Sequence, residues 1–123
     1  MKWWRKAEEQ GNAKAQFNLG DAYRKGEGVA ADQVESVKWF RKAAEQGNAG
    51  AQYSLGYAYA NGEGVKKDLV EGYAWINLAA VNRKVAKEKR SELEKTMSAQ
   101  QVAAGQKRSA VLDGSIKANQ AKK

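Results

Sequence analysis

The chain has 123 residues, of which 42% are hydrophobic, 22 are Lys or Arg and 14 are Asp or Glu, giving a formal net charge of +8. It contains no cysteine and no histidine, which excludes disulfide frameworks, thiolate zinc sites and histidine-based acid-base catalysis. No apolar run approaches the roughly 20 residues that span a bilayer, and no secretory signal is evident. We expect a cytoplasmic chain, or a periplasmic or secreted one if it is a processed or truncated form.

The first 32 residues introduce a unit that occurs twice. Trp3–Asp32 and Trp39–Asp68, which are 36 positions apart, are identical at 20 of 30 positions, and the register resumes at Trp75. A period between 20 and 50 residues indicates a protein built from stacked structural repeats. The residues shared by the two copies therefore indicate the repeat architecture, and they do not by themselves indicate a function.

The first repeat predicts two helices separated by a turn. Met1–Gln10 is expected to be helical but starts partway through the unit. Gly11 suits the left-handed residue that ends a helix, and Asn12 suits the N-cap of the next one. The first complete helix is predicted over Ala13–Lys25.

Glycine recurs inside this helix, at Gly20 and again at Gly56 in the second copy. Glycine in a helix interior costs about 1 kcal/mol relative to alanine. Its recurrence predicts that a neighbouring helix approaches too closely for a side chain at both positions.

The second helix of each repeat follows a Gly-Glu-Gly-Val loop. The loops at residues 26–29 and 62–65 contain glycines that can adopt positive φ. An aspartate with a glutamate three residues later then forms an N-capping pattern. Helices are predicted over Asp32–Gln46 and Asp68–Val81.

The repeat pattern ends near residue 82, and the remaining chain is the basic part. Residues 1–82 carry 11 basic and 10 acidic side chains, whereas residues 83–123 carry 11 basic and 4 acidic ones. Helices are predicted over Arg83–Met97 and Ala99–Leu112, the second started by a Ser-Gln capping box. We expect residues 113–123 to be a flexible basic tail.

These elements predict an all-α fold, an α-α superhelix (solenoid) of antiparallel helix pairs with C-terminal capping helices. The predicted units are a half repeat at 1–11, repeats at about 12–47 and 48–82, capping helices at 83–112 and the tail at 113–123.

The repeated residues resemble a known family. The pattern A-x-A-Q-aromatic-x-L-G-x-A-Y-x-x-G-E-G-V-x-x-D, followed by W-aromatic-R-K-A, is similar to the Sel-one-like repeat, a relative of the tetratricopeptide repeat, over residues 3–80. The stretch GYAWINLAA at 72–80 resembles a closing repeat of such proteins. The resemblance implies an adaptor that binds a protein or peptide on the concave face of a helical-repeat solenoid.

By analogy with tetratricopeptide repeats, the first helix of each pair lines that concave face. The candidate partner-binding residues are Lys14, Phe17, Asp21, Arg24, Lys25, Tyr53, Tyr57 and Asn61. The two copies differ at most of these positions, as expected for position-specific contacts but also for solvated positions that are free to vary. Phe17 and Tyr53 are aromatic in both copies, which favours a role in the core for them.

The sequence shows no nucleophile–base constellation of the kind that carries catalysis. Gly-Glu-Gly does not follow a strand and lacks the residues of a phosphate-binding loop. The carboxylates Glu27, Asp32, Glu63 and Asp68 recur in loop or cap positions, and Trp3, Trp39 and Trp75 recur as core positions. We expect no enzyme activity, no cofactor and no metal site.

Two further partners are considered. Nucleic acid or another anionic surface could contact the basic C-terminal third. The candidate cations are Arg83, Lys84, Lys87, Lys89, Arg90, Lys107, Arg108, Lys117, Lys122 and Lys123. No aromatic residue follows Trp75 to stack on bases, which makes nucleic acid the weaker hypothesis.

The N-terminal edge is expected to leave apolar surface uncovered near Trp3, Trp4 and Phe17. This predicts self-association through that edge, or that the chain is a piece of a longer array.

Overall fold

The computed structural model describes the backbone of residues 2–121 and the side chains of residues 12–121. This part of the chain forms six α-helices and no strand, which confirms the predicted all-α fold. The helices are α1 (Lys2–Lys25), α2 (Gln33–Glu45), α3 (Ala49–Asn61), α4 (Leu69–Ala79), α5 (Lys84–Thr96) and α6 (Ala99–Ala121). None of these described helices is both long and apolar enough to cross a membrane.

The helices are arranged in two layers. Contacts join α1 to α2, α2 to α3, α3 to α4, and α4 to both α5 and α6. Helices α1, α3 and α5 form what we term the inner layer, in which Lys89 contacts α3. Helices α2, α4 and α6 form the outer layer, where Asn77 donates to Ser109 and Gln120 donates to the carbonyl of Gln46. This is the predicted helical-repeat architecture.

Local side-chain contacts start helices α2, α3 and α4. The carboxylate of Asp32 accepts a hydrogen bond from the amide of Glu35 at 3.1 Å, and that of Asp68 accepts one from the amide of Glu71 at 3.1 Å. The side chain of Asn48 caps α3 in the same way. Each cap gives a partner to an amide that has none within its own helix. The caps at Asp32 and Asp68 confirm the predicted starts of α2 and α4.

Helices α5 and α6 begin differently from each other. The amide of Gln101 donates to Oγ of Ser98 at 3.1 Å, and the amide of Ser98 donates to the Gln101 side chain at 2.9 Å. This is the predicted capping box of α6. The N-cap position of α5 is Arg83, which makes no side-chain cap hydrogen bond.

Small residues allow the paired helices to approach closely. A Cβ atom on Gly56 would lie 2.7 Å from the carbonyl oxygen of Gly72, and one on Gly72 would lie 2.8 Å from the carbonyl oxygen of Gly56. In the first repeat, a Cβ on Gly20 would lie 2.6 Å from the Phe40 ring. These distances confirm the predicted close approach at Gly20 and Gly56.

The core lies between the layers and is densest in the middle of the array. The largest fully buried side chains are Phe40, Leu55, Tyr73, Trp75 and Ile76, which belong to α2, α3 and α4. Trp75 is therefore a core residue, as predicted. Helix α6 closes this core from the outer layer, because Leu112 and Ile116 pack against it.

The predicted turn at Gly11-Asn12 is wrong, because α1 runs through it as one helix. The second copy of the same triplet does turn, and Gly47 has a φ of +94°. Tertiary contacts hold that turn, including a hydrogen bond of 3.2 Å from the Gln120 side chain to the carbonyl of Gln46. At Gly11 the helix continues instead, which satisfies the backbone groups that a turn would leave without partners.

The flexible tail expected at 113–123 is also incorrect, since α6 continues to Ala121. Ile116 follows Leu112 by one helical turn and is only 7% exposed. The two residues form one apolar stripe that packs against the core. This packing orders residues 113–121, whose other side chains are mostly polar. Residues 122 and 123 lie outside the described part of the chain.

Adding a methyl group at Gly56 tests the close approach. We expect Gly56→Ala to lower the free energy of unfolding by about 1–3 kcal/mol, because the new Cβ would meet backbone atoms that have no room to shift. Gly114→Ala is the matched control, since nothing lies within 4 Å of a Cβ there. It should stabilise α6 by about 0.5–1 kcal/mol. Urea unfolding measures both, and equal effects would contradict the close approach.

Truncating Ile116 tests the packing of the C-terminal segment. We expect Ile116→Ala to cost about 2–4 kcal/mol, because it removes buried methylene and methyl groups from the core. Val111→Ala on the same helix should change stability by less than about 0.5 kcal/mol, since Val111 is 54% exposed. Thermal unfolding of the two variants would return similar midpoints if residues 113–121 were a mobile tail.

Candidate functional site

The predicted partner-binding residues all lie on the two inner helices α1 and α3. Lys14, Arg24, Lys25, Tyr57 and Asn61 are exposed, and Phe17, Asp21 and Tyr53 are half-buried. Phe17, Tyr53 and Tyr57 pack against other helices, whereas Lys14, at the start of the set, makes no side-chain hydrogen bond or ion pair among the described residues. The geometry of the aromatic residues therefore defines the centre of the inner layer.

Phe17 joins the first two repeats. Its ring packs against that of Phe40 with centroids 5.7 Å apart. Its Cζ atom lies 3.2 Å from the position of a Cβ on Gly50, so the absence of a side chain at Gly50 makes room for this ring. Phe17 thus packs against the core and is only partly accessible, as its recurrence as an aromatic residue suggested.

Tyr53 and Tyr57 form an aromatic pair on α3. Their ring centroids are 6.2 Å apart, one turn of helix separating the two residues. Tyr53 packs against the core, whereas Tyr57 is 40% exposed. Burial raises the pKa of the Tyr53 phenol, and repulsion from an ionised Tyr57 and from the carboxylates of Glu92 and Glu88 raises it further.

Helix α5 forms one side of the site, opposite α3, and the sequence analysis did not assign it to the site. Nζ of Lys89 lies 5.0 Å from the centroid of the Tyr57 ring, a cation-π contact. Arg83, at the start of α5, reaches Gly50 on α3. A signal for this placement exists, because α5 begins at Lys84, 35 residues after α3 begins at Ala49, which is close to the repeat period.

The charged side chains at the end of α1 form ion pairs with one another. Asp21 pairs with Arg24 at 3.0 Å and with Lys25 at 3.1 Å. Burial raises the pKa of the Asp21 carboxyl, but the hydrogen bonds from Lys25 and Arg24 outweigh it and lower its pKa overall. Asn61, which matches Lys25 in the second repeat, donates to the Tyr57 carbonyl within its own helix.

A cleft with a volume of about 550 Å³ lies under α6. Its buried polar side chains already have partners within the protein. Gln52 donates to the carbonyl of Ala44 at 3.2 Å, Asn77 donates to Ser109 at 3.1 Å, and Arg90 donates to Asn77 at 2.8 Å. These bonds tie the helices together and engage these polar side chains within the protein.

Several cations of the basic C-terminal third are engaged in contacts between or within helices. Arg108 pairs with Glu71 at 2.9 Å, and this hydrogen bond raises the pKa of its guanidinium. Lys117 pairs with Asp113 at 3.0 Å. Together with Arg90 and Lys89 they bind side chains of the protein itself, which weakens the nucleic-acid hypothesis.

Comparison with known proteins identifies the repeat. The family model described as the Sel1 repeat matches residues 1–12, 13–48 and 49–80. No curated protein matches the chain. Sel1 repeat proteins are helical-repeat modules for protein interaction, and the repeat is a non-catalytic scaffold.

Two solved bacterial structures are similar along much of the chain. The first is c5321, a protective antigen present in uropathogenic Escherichia coli strains that displays an SLR fold. It is 36% identical to this chain with a TM-score of 0.79, and the match covers 99% of this chain and 28% of c5321. The second is a Sel1 repeat protein from Oxalobacter formigenes, which is 43% identical with a TM-score of 0.65. This match covers 66% of this chain and 24% of the other. This chain spans about a quarter of the length of each. The repeat matches and these similarities agree, and the chain belongs to the Sel1 repeat family.

Proposed function

We propose that the inner layer is a docking groove for a protein or peptide, with Tyr57 at its centre. Tyr57 is 40% exposed, yet Tyr53 on one side and Lys89 on the other hold its ring in place. Binding energy at protein interfaces is concentrated in a few residues of this kind, in which tyrosine is enriched. This exposed and fixed aromatic ring is the observation that carries the proposal.

The difference between the two repeats supports the same assignment. Gly20 and Gly56 are alike because each faces a neighbouring helix. The next residue along differs, being Asp21 in the first repeat and Tyr57 in the second. The scaffold positions are thus retained, whereas the adjoining inner-layer positions present different chemistry, as expected of a surface that discriminates between partners.

Removing the Tyr57 ring tests the groove. Short peptides selected from a random-sequence display library on the wild-type chain serve as probes, with binding followed by fluorescence anisotropy. Tyr57→Ser should weaken binding about 30-fold, the loss expected for a central interface aromatic. Val111→Ser, which also alters an exposed side chain but on α6, should bind as the wild type does.

Either of two results would contradict the groove. One is failure to select any peptide, and the other is undiminished binding to Tyr57→Ser. If the retained binding also weakened steeply with added salt, the function would move to the basic C-terminal third.

We also propose that α1 mediates self-association with a second copy of the chain. Leu19 on α1 is 39% exposed, whereas its counterpart Leu55 on α3 is 0% exposed, in a core cluster that includes Val37 and Phe40 of α2. Helix α1 thus repeats an apolar face that, one repeat later, packs against a helix of this same protein. The side chains of Trp3 and Trp4, which the sequence assigned to this edge, lie outside the described residues.

A charge on the α1 face tests this association. Sedimentation velocity over a range of protein concentrations should show a dimer for the wild type and a monomer for Leu19→Glu, because a carboxylate resists burial against a second copy. Val111→Glu places the same charge on α6 and should still dimerise. A wild-type chain that remains monomeric at the highest concentration would disprove the proposal.

A further inference from the structure

Arg83 lies next to Gly50 of α3 and Phe17 of α1, in the inner layer. Its Nη2 atom lies 3.2 Å from the position that a Cβ on Gly50 would take, and Cζ of Phe17 lies at the same distance from that point. The guanidinium and the aromatic ring therefore converge above the α3 backbone, in the space left by Gly50. Helices α1, α3 and α5 each contribute one residue to this meeting point.

Arg83 is also the one arginine of the described side chains without a side-chain hydrogen bond. Among residues 12–121, the other four arginines each donate to a partner. Those pairs are Arg24 with Asp21, Arg41 with Tyr59, Arg90 with Asn77 and Arg108 with Glu71. The guanidinium of Arg83 thus has no hydrogen-bond acceptor among the described side chains and lies beside Gly50 of the inner layer.

The surrounding charges give the groove a direction. Burial raises the pKa of the Tyr53 phenol, and the nearby carboxylates of Glu88 and Glu92 raise it further, which places negative charge on the Tyr53 side of the groove. The Arg83 end favours an anion, and the first turn of α5, which has no side-chain cap, adds to the positive potential there. An acidic group of a bound chain would therefore be placed at Arg83.

We propose that Arg83 binds a carboxylate of the docked peptide while an apolar side chain of the same peptide rests on Tyr57. This inference rests on the proposed docking groove and specifies what the groove accepts. A guanidinium offers a planar fork of donors that matches a carboxylate. Gly50 and Tyr57 are two helical turns apart, about 10 Å, which corresponds to about three residues of extended chain.

The test compares variants of both the protein and the peptide. The probes are library-selected peptides whose binding depends on Tyr57, labelled with fluorescein. Arg83→Gln should raise their Kd about tenfold or more, the effect expected for loss of a charge-assisted hydrogen bond. Lys95→Gln removes the same charge from an exposed position on α5 and should leave the Kd unchanged.

The peptide arm identifies the carboxylate. Replacing the acidic side chains of a selected peptide by their amides should weaken binding to the wild type and have no further effect on Arg83→Gln. If amidation of the peptide's C-terminus has that effect instead, the carboxylate is the chain terminus, and the role of Arg83 stands.

Two results would overturn the inference in distinguishable ways. Tyr57-dependent binding that is indifferent to Arg83→Gln, or to neutralisation of every peptide carboxylate, would overturn the role of Arg83 alone. Peptides that bind Tyr57→Ser as well as the wild type, or the absence of any selected peptide, would overturn the docking groove and the role of Arg83 together.

Discussion

The contact between α3 and α4 at Gly56 and Gly72 is the constraint on which the rest of the structure depends. Because neither residue has a side chain, each carbonyl oxygen can lie within 2.8 Å of the position that the other's Cβ would take, and the two helices pack closely enough to enclose the large side chains beside them. Tyr73 and Ile76 become fully buried as a result. Tyr73 then anchors the last pair of helices, since its hydroxyl donates to Glu94 on α5 at 2.7 Å.

Features set by neighbouring residues could be predicted from the sequence, and features set by distant ones could not. The caps at Asp32 and Asp68 depend on residues three positions away, so their pattern was sufficient. The Gln-Gly-Asn triplet shows the limit, because it turns at Gly47 and remains helical at Gly11. The order of the segment after Asp113 likewise depends on the burial of a single isoleucine by other helices.

The candidate site shows the same division. The repeat register placed Tyr53 and Tyr57 on an inner helix, but it gave no indication of what faces them across the groove. Helix α5 has lost the aromatic and glycine residues that mark the repeat while keeping its place in the array. Arg83 and Lys89 therefore looked like members of a basic surface, and only the packing of α5 beside α3 assigns them to the groove.

The contacts of α6 with residues of the first complete repeat affect how the molecule unfolds. In a simple repeat array each unit contacts only its neighbours, so units at the ends can melt independently. Here α6, the last element, bonds through Gln120 to the turn after α2 and packs Ile116 into a core that includes Phe40. The end of the chain is thereby coupled to its first complete repeat, and this favours a single cooperative transition over fraying from the C-terminus.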